Sequence, residues 1–118
     1  MIPGWDRPST CGLRPGQWSQ PTTRPGWDVK DVVAHVLGDH VGWLSRHRDG
    51  YPPRHPRADE AFPAFLDRVN DEWVTAARRI SPRLLVEQLS VIGDQVVEFW
   101  LTVDLDALGD RVSSSACR

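Results

Sequence analysis

Four histidines, two cysteines and a scatter of carboxylates are the side chains with the means to do chemistry. His35 is the most suggestive of them. Asp31 and Asp39 stand four residues before and after it, so on a helix all three share one flank. An imidazole with a carboxylate one turn away can offer two donors to a divalent cation. An ordinary solvated face is the competing reading of the same spacing. His40 and His47 lie two turns apart, ~10 Å along a helix axis, too far for one ion with ~2 Å ligand bonds. They read as packed histidines with a satisfied ring nitrogen, and His55 reads as a solvated loop residue. Cys11 and Cys117 stand near opposite ends of the chain, so no Cys-x-x-Cys zinc site exists, and both read as free thiols. No P-loop, G-x-G-x-x-G, G-x-S-x-G or H-E-x-x-H occurs.

Three helices are expected to position these groups. Asp28 is a good N-cap and Asp31 places negative charge in a first turn, where the helix dipole favours it. Apolar residues then recur at Val29, Val32, Val33, Val36, Leu37, Trp43 and Leu44, which predicts an amphipathic helix over 28–49. Gly50 and the pair Pro52-Pro53 end it. A second stripe, from Phe62 through Phe65, Leu66, Val69 and Trp73 to Ile80, predicts a helix over 60–80 capped by Asp59, with Pro63 in its first turn. Ser81-Pro82 is a restart signal. The stripe Leu85, Leu89, Ile92, Val96, Phe99 and Val103 then predicts a helix over 82–104. Nothing alternates with period two, so no strand is expected. The fold class expected is all-α, an up-down bundle of three long antiparallel helices. Residues 1–27, rich in Pro, Gly and Trp, read as an irregular lead-in whose Trp side chains lie on the bundle domain, 28–106. Residues 107–118 read as a disordered tail.

Composition narrows the function classes. The chain has 118 residues and a net charge of −2, with 40% apolar and 25% charged residues. That is one domain's length. No basic field exists to hold a phosphate backbone, so no nucleic-acid partner is expected. No apolar run approaches the ~20 residues of a membrane span. No apolar leader follows Met1, which suggests a reducing, cytoplasmic setting.

The stretch Gln17-Trp18-Ser19-Gln20-Pro21-Thr22-Thr23-Arg24-Pro25-Gly26-Trp27-Asp28-Val29-Lys30-Asp31-Val32-Val33-Ala34-His35 narrows it further. It resembles the mycothiol-dependent maleylpyruvate isomerase family, in the metal-binding N-terminal domain of the DinB-like superfamily. The family pattern is roughly W-x-x-P-T-x-C-P-G-W-x-V-x-D-V-x-A-H-L. The resemblance extends through Asn70-Asp71-Glu72-Trp73-Val74 and Ser81-Pro82-Arg83-Leu84-Leu85. It implies a four-helix bundle carrying a divalent metal, commonly zinc, with His35 as the first ligand. It also implies mycothiol as thiol cosubstrate beside a small-molecule substrate, in isomerisation or thiol transfer. The family's other ligands come from a later helix as a Glu-x-x-x-His or His-x-x-x-His pair. No such pair follows His35 here. The expectation is therefore a bundle lacking its fourth, C-terminal helix, with weak activity or none. The alternative is a non-catalytic helical module that oligomerises, as a homodimer, through the apolar groove left open.

Overall fold

The computed structural model describes residues 13–103. Cys11, Cys117 and the segment 107–118 lie outside the described residues. Three α-helices carry the fold: α1 (Val29–His47), α2 (Phe62–Ala77) and α3 (Pro82–Thr102). Among the described residues the one β feature is an isolated bridge between Pro21 and Asp28. The all-α expectation therefore holds.

Two of the three expected N-caps form. Asp28 accepts from the amide of Asp31, and the Asp31 carboxylate accepts in return from the amide of Asp28, a reciprocal capping box. Ser81 accepts from the amide of Leu84 with Pro82 at the first helical position. Asp59 is not a cap. It adopts a left-handed φ of 65° inside the turn that precedes α2, and Ala61 occupies the cap position without a side-chain bond. The neighbouring Glu60 organises that turn. Its carboxylate accepts from the backbone of Arg57 and takes both Nε and Nη2 of Arg68 at 2.8 Å each. This forked, charge-assisted pair ties the turn to α2 through Arg68. α2 also ends at Ala77, short of Ile80, with Arg78 as its C-cap.

α1 packs against both other helices, but not on the stripe its valines draw. Its fully buried side chains are Asp31, Ala34, Leu37 and Leu44, whereas Val32 and Val41 are exposed. The buried face is rotated roughly 110° from the centre of the apolar stripe at 100° per residue. The cause is the indole of Trp73. It donates from Nε1 to the Ala34 carbonyl at 2.6 Å and lies across Gly38, where a Cβ would fall 2.5 Å from the same nitrogen. Only small residues admit that approach, so Ala34 and Gly38 turn inward. Trp73, expected in the core, is half-buried as a result. Ala34 and Leu37 close a core with Ala77 and Leu85, flanked by Val33, Trp73, Ile80, Leu89 and Ile92. At the far end of α1, Trp43 stacks on Trp100 (centroids 5.6 Å apart, planes at 5°) and meets Phe99 edge-on. There Arg48 also donates to Gln95.

Two outcomes follow. Gly38→Ala should lower stability by about 1–3 kcal/mol in urea melts, because displacing Trp73 outweighs the ~1 kcal/mol that Ala gains in a helix. The Arg68 hydrogen bonds hold the Glu60 carboxyl down from 4.5 to about 2. A lowered folded-state pKa stabilises above the unfolded value, and that stability fades as pH falls from about 4.5 toward 2. Melting temperatures across that window should fall less steeply for Glu60→Gln than for the wild type.

Candidate functional site

The segment 18–28 folds onto the start of α1 and supplies what a helix N-terminus lacks. Val29 donates to the Gln20 carbonyl at 3.0 Å, Lys30 to the Trp18 carbonyl at 2.9 Å and Asp31 to the Asp28 carboxylate at 2.8 Å. The first-turn amides, unsatisfied in an isolated helix, are thus all taken. The segment is itself tied. The Thr22 hydroxyl donates to the Trp27 carbonyl at 2.8 Å, and Gly26 turns the chain with φ +81°. Trp18 and Trp27 are buried, as expected of them, and Trp5 lies outside the described residues.

Two arginine clamps fasten the segment to α2. Arg78 donates to both carboxylate oxygens of Asp31 at 3.3 Å and to the Gly26 carbonyl at 3.0 Å. Its hydrogen bonds to Asp31, and then the charge of that carboxylate, raise the Arg78 guanidinium above its usual range. Arg24 covers the Trp27 ring at 4.0 Å and pairs with Asp71 at 3.1 Å, and Trp27 Nε1 donates to the same Asp71 oxygen at 3.2 Å. A shallow, open depression lies between the clamps, lined by Ser19, Thr22, Arg24, Asp28, Asp31 and Arg78.

His35 stands beside this assembly. Its ring packs on Trp27 at 5.3 Å between centroids. Nδ1 is buried and without a hydrogen-bond partner. Nε2 lies 3.3 Å from the Asp39 carboxylate, in a side chain 28% exposed, with Asp39 at 64%. Of the three residues placed on one flank by spacing, the structure brings together His35 and Asp39. Asp31 is withdrawn: it is 5% exposed and spent on capping and on Arg78. The other histidines fall as expected. His40 donates from Nδ1 to the Val36 carbonyl at 2.8 Å, His47 packs against Trp43, and His55 is exposed in its loop. Among the described residues no three His, Cys, Asp or Glu side chains gather as a metal-binding group. Sequence reasoning missed Arg78 and Asp71, whose partners lie more than forty positions away. The reciprocal Asp28–Asp31 box was readable from its i, i+3 carboxylates.

The features together define a helical domain in which a Trp- and Pro-rich lead-in caps one helix and braces one imidazole of it. The family model of the mycothiol maleylpyruvate isomerase N-terminal domain matches residues 9–116, and the chain belongs to that family. No curated protein and no solved structure matches the chain. No helix among the described residues is long and apolar enough to cross a membrane.

The roles separate by stability. Arg78→Ala strips a buried carboxylate of its cation and should lower the thermal midpoint measurably. His35→Ala should leave thermal stability within about 0.5 kcal/mol of wild type, since Ala is the better helix former. A larger loss from His35→Ala than from Arg78→Ala would reverse the two roles.

Proposed function

We propose that this chain is a metal-binding domain of the mycothiol-dependent isomerase and thiol-transferase type, with His35 contributing one ligand to a divalent cation, zinc foremost. One observation carries the reading. In the signature stretch, Thr22, Arg24, Trp27, Asp28, Lys30 and Asp31 all spend their polar atoms on holding the lead-in, α1 and α2 together. His35 does not. Its accessible nitrogen meets a single exposed carboxylate and remains within reach of a solute.

The donor set sets a limit on the chemistry. His35 and Asp39 are two donors, and a catalytic zinc site takes three from protein. The described residues alone do not fit a complete centre. A divalent metal, if His35 and further donors held one, would favour the deprotonated, nucleophilic form of a bound thiol such as mycothiol. The residues on hand would orient one ligand of it through Trp27. Turnover with maleylpyruvate and mycothiol is therefore expected to be weak or absent for this chain, and a cytoplasmic setting suits a reduced thiol cosubstrate.

A second reading has its own observation. Val91, Val97 and Leu101 of α3 and Val32 and Val41 of α1 are exposed, Leu101 at 81%. Apolar faces of this kind associate, so a non-catalytic module that forms a homodimer is the alternative.

Calorimetric zinc titration of wild type beside His35→Ala, with mass followed by light scattering, separates these readings. Stoichiometric binding tighter than about micromolar and lost in His35→Ala supports the metal reading. Binding indifferent to His35 sinks it, and a zinc-independent dimer then favours the module.

A further inference from the structure

We infer that residues 51–57 are a docking strand for a second protein, a polyproline-type ligand for a groove of the SH3 kind, lined by aromatic rings and edged by carboxylates. The inference draws on none of the residues of the metal reading. The connection between α1 and α2 is the first observation. It spans residues 48–61, whereas roughly 2–8 residues suffice between bundle helices, and ordered connections much longer than that mostly carry a function. Within it stands Pro52-Pro53-Arg54-His55-Pro56, an x-Pro-x-x-Pro run. Each proline fixes its own φ at about −65° and drives the residue before it into the extended region. Tyr51, Pro52, Pro53, His55 and Pro56 are all steered in this way. Arg54 is the exception, and its guanidinium is tied to Glu72 at 2.6 Å. A polyproline helix has three residues per turn, so Pro53 and Pro56 fall on one edge of it, about 9 Å apart.

The run is also presented as a ligand must be. Residues 51–57 are all exposed, Tyr51 at 70%. Among the described residues no backbone hydrogen bond involves 52–56, so their carbonyls stay free for a partner's donors. Both ends are fixed. Gly50 turns the chain off α1 with φ +64°, and the Tyr51 amide donates to the Ser45 carbonyl at 2.8 Å. The Arg57 amide donates at 2.8 Å to the Glu60 carboxylate, which Arg68 holds from α2. A strand held in place before its partner arrives loses little conformational entropy on docking. Charge then names the partner's chemistry. Arg54, His55 and Arg57 stand in the run, and no acid lies between Gly50 and Ala58. The Arg57 guanidinium has no ion-pair partner among the described residues. A carboxylate beside the aromatic groove answers it. A phosphate backbone is disfavoured by the chain's net charge of −2.

The test titrates the full chain, labelled with nitrogen-15, with an isolated SH3 domain selective for arginine-flanked x-Pro-x-x-Pro ligands. A parallel titration uses a single-stranded oligonucleotide. Pro53→Ala, Pro56→Ala and Arg57→Glu are run beside wild type, with far-ultraviolet dichroism as the control for folding. The domain should move the amide signals of Tyr51, Arg54, His55 and Arg57 with a Kd of about 100 μM or tighter. Each proline variant should weaken binding about tenfold, and Arg57→Glu should weaken it and flatten its salt dependence. No movement at about 1 mM domain overturns the inference. Proline variants that bind as wild type does overturn it too, since charge alone then holds the domain. So does an oligonucleotide that moves these signals where the domain does not, which makes the loop a nucleic-acid surface.

Discussion

Everything near the candidate site depends on how the N-terminus of α1 is closed. A helix start leaves several amides without partners, and a buried start without caps is costly. Here the lead-in meets that need in full. Two carbonyls of the segment, those of Gln20 and Trp18, and the Asp28 carboxylate take the first three amides of α1. Asp31 returns the bond to Asp28 and holds Arg78 from the end of α2. One buried carboxylate thus joins three pieces of chain: the lead-in, the first helix and the turn into the third. Because these donors are spoken for, the helix start is not an anion site despite its dipole.

The signature stretch is therefore mostly a device for building. Trp18 fills space under the loop, Gly26 permits the turn, and Trp27 lies between Arg24 and His35. Each interaction shortens the list of conformations open to the imidazole at the end of the stretch. A side chain on an unbraced surface helix loses rotamer entropy when it makes a contact, whereas the packing around His35 has already removed much of that freedom.

The sequence made the helices and two of the caps legible, since caps and Pro positions are local chemistry and local chemistry is what a sequence displays. Asp28, Ser81, Pro82 and Gly50 all act as read. Asp59 does not, because a tertiary contact, the fork between Glu60 and Arg68, organises that turn instead. The phase of α1 was not legible either. Hydropathy weighs Val29, Val32, Val33 and Val36 heavily and Ala34 and Gly38 hardly at all. Yet the approach of the Trp73 indole depends on the small residues. Burial follows closeness of approach as well as apolar area. His35 was legible as a candidate from its neighbours, but the retirement of Asp31 from the flank required Arg78, which spacing does not reveal.

That rotation of α1 has a consequence for the two functional readings. By turning Ala34 and Gly38 inward, the helix carries Val32 outward, to the side where the His35–Asp39 pair stands. At 100° per residue Val32 lies ~60° from His35 and ~20° from Asp39 around the helix. The exposed Val32 and the His35–Asp39 ion pair therefore adjoin on one surface of α1. A partner that covered Val32 and a cation that met Nε2 would approach the same side of the helix, so the two readings under test share one face.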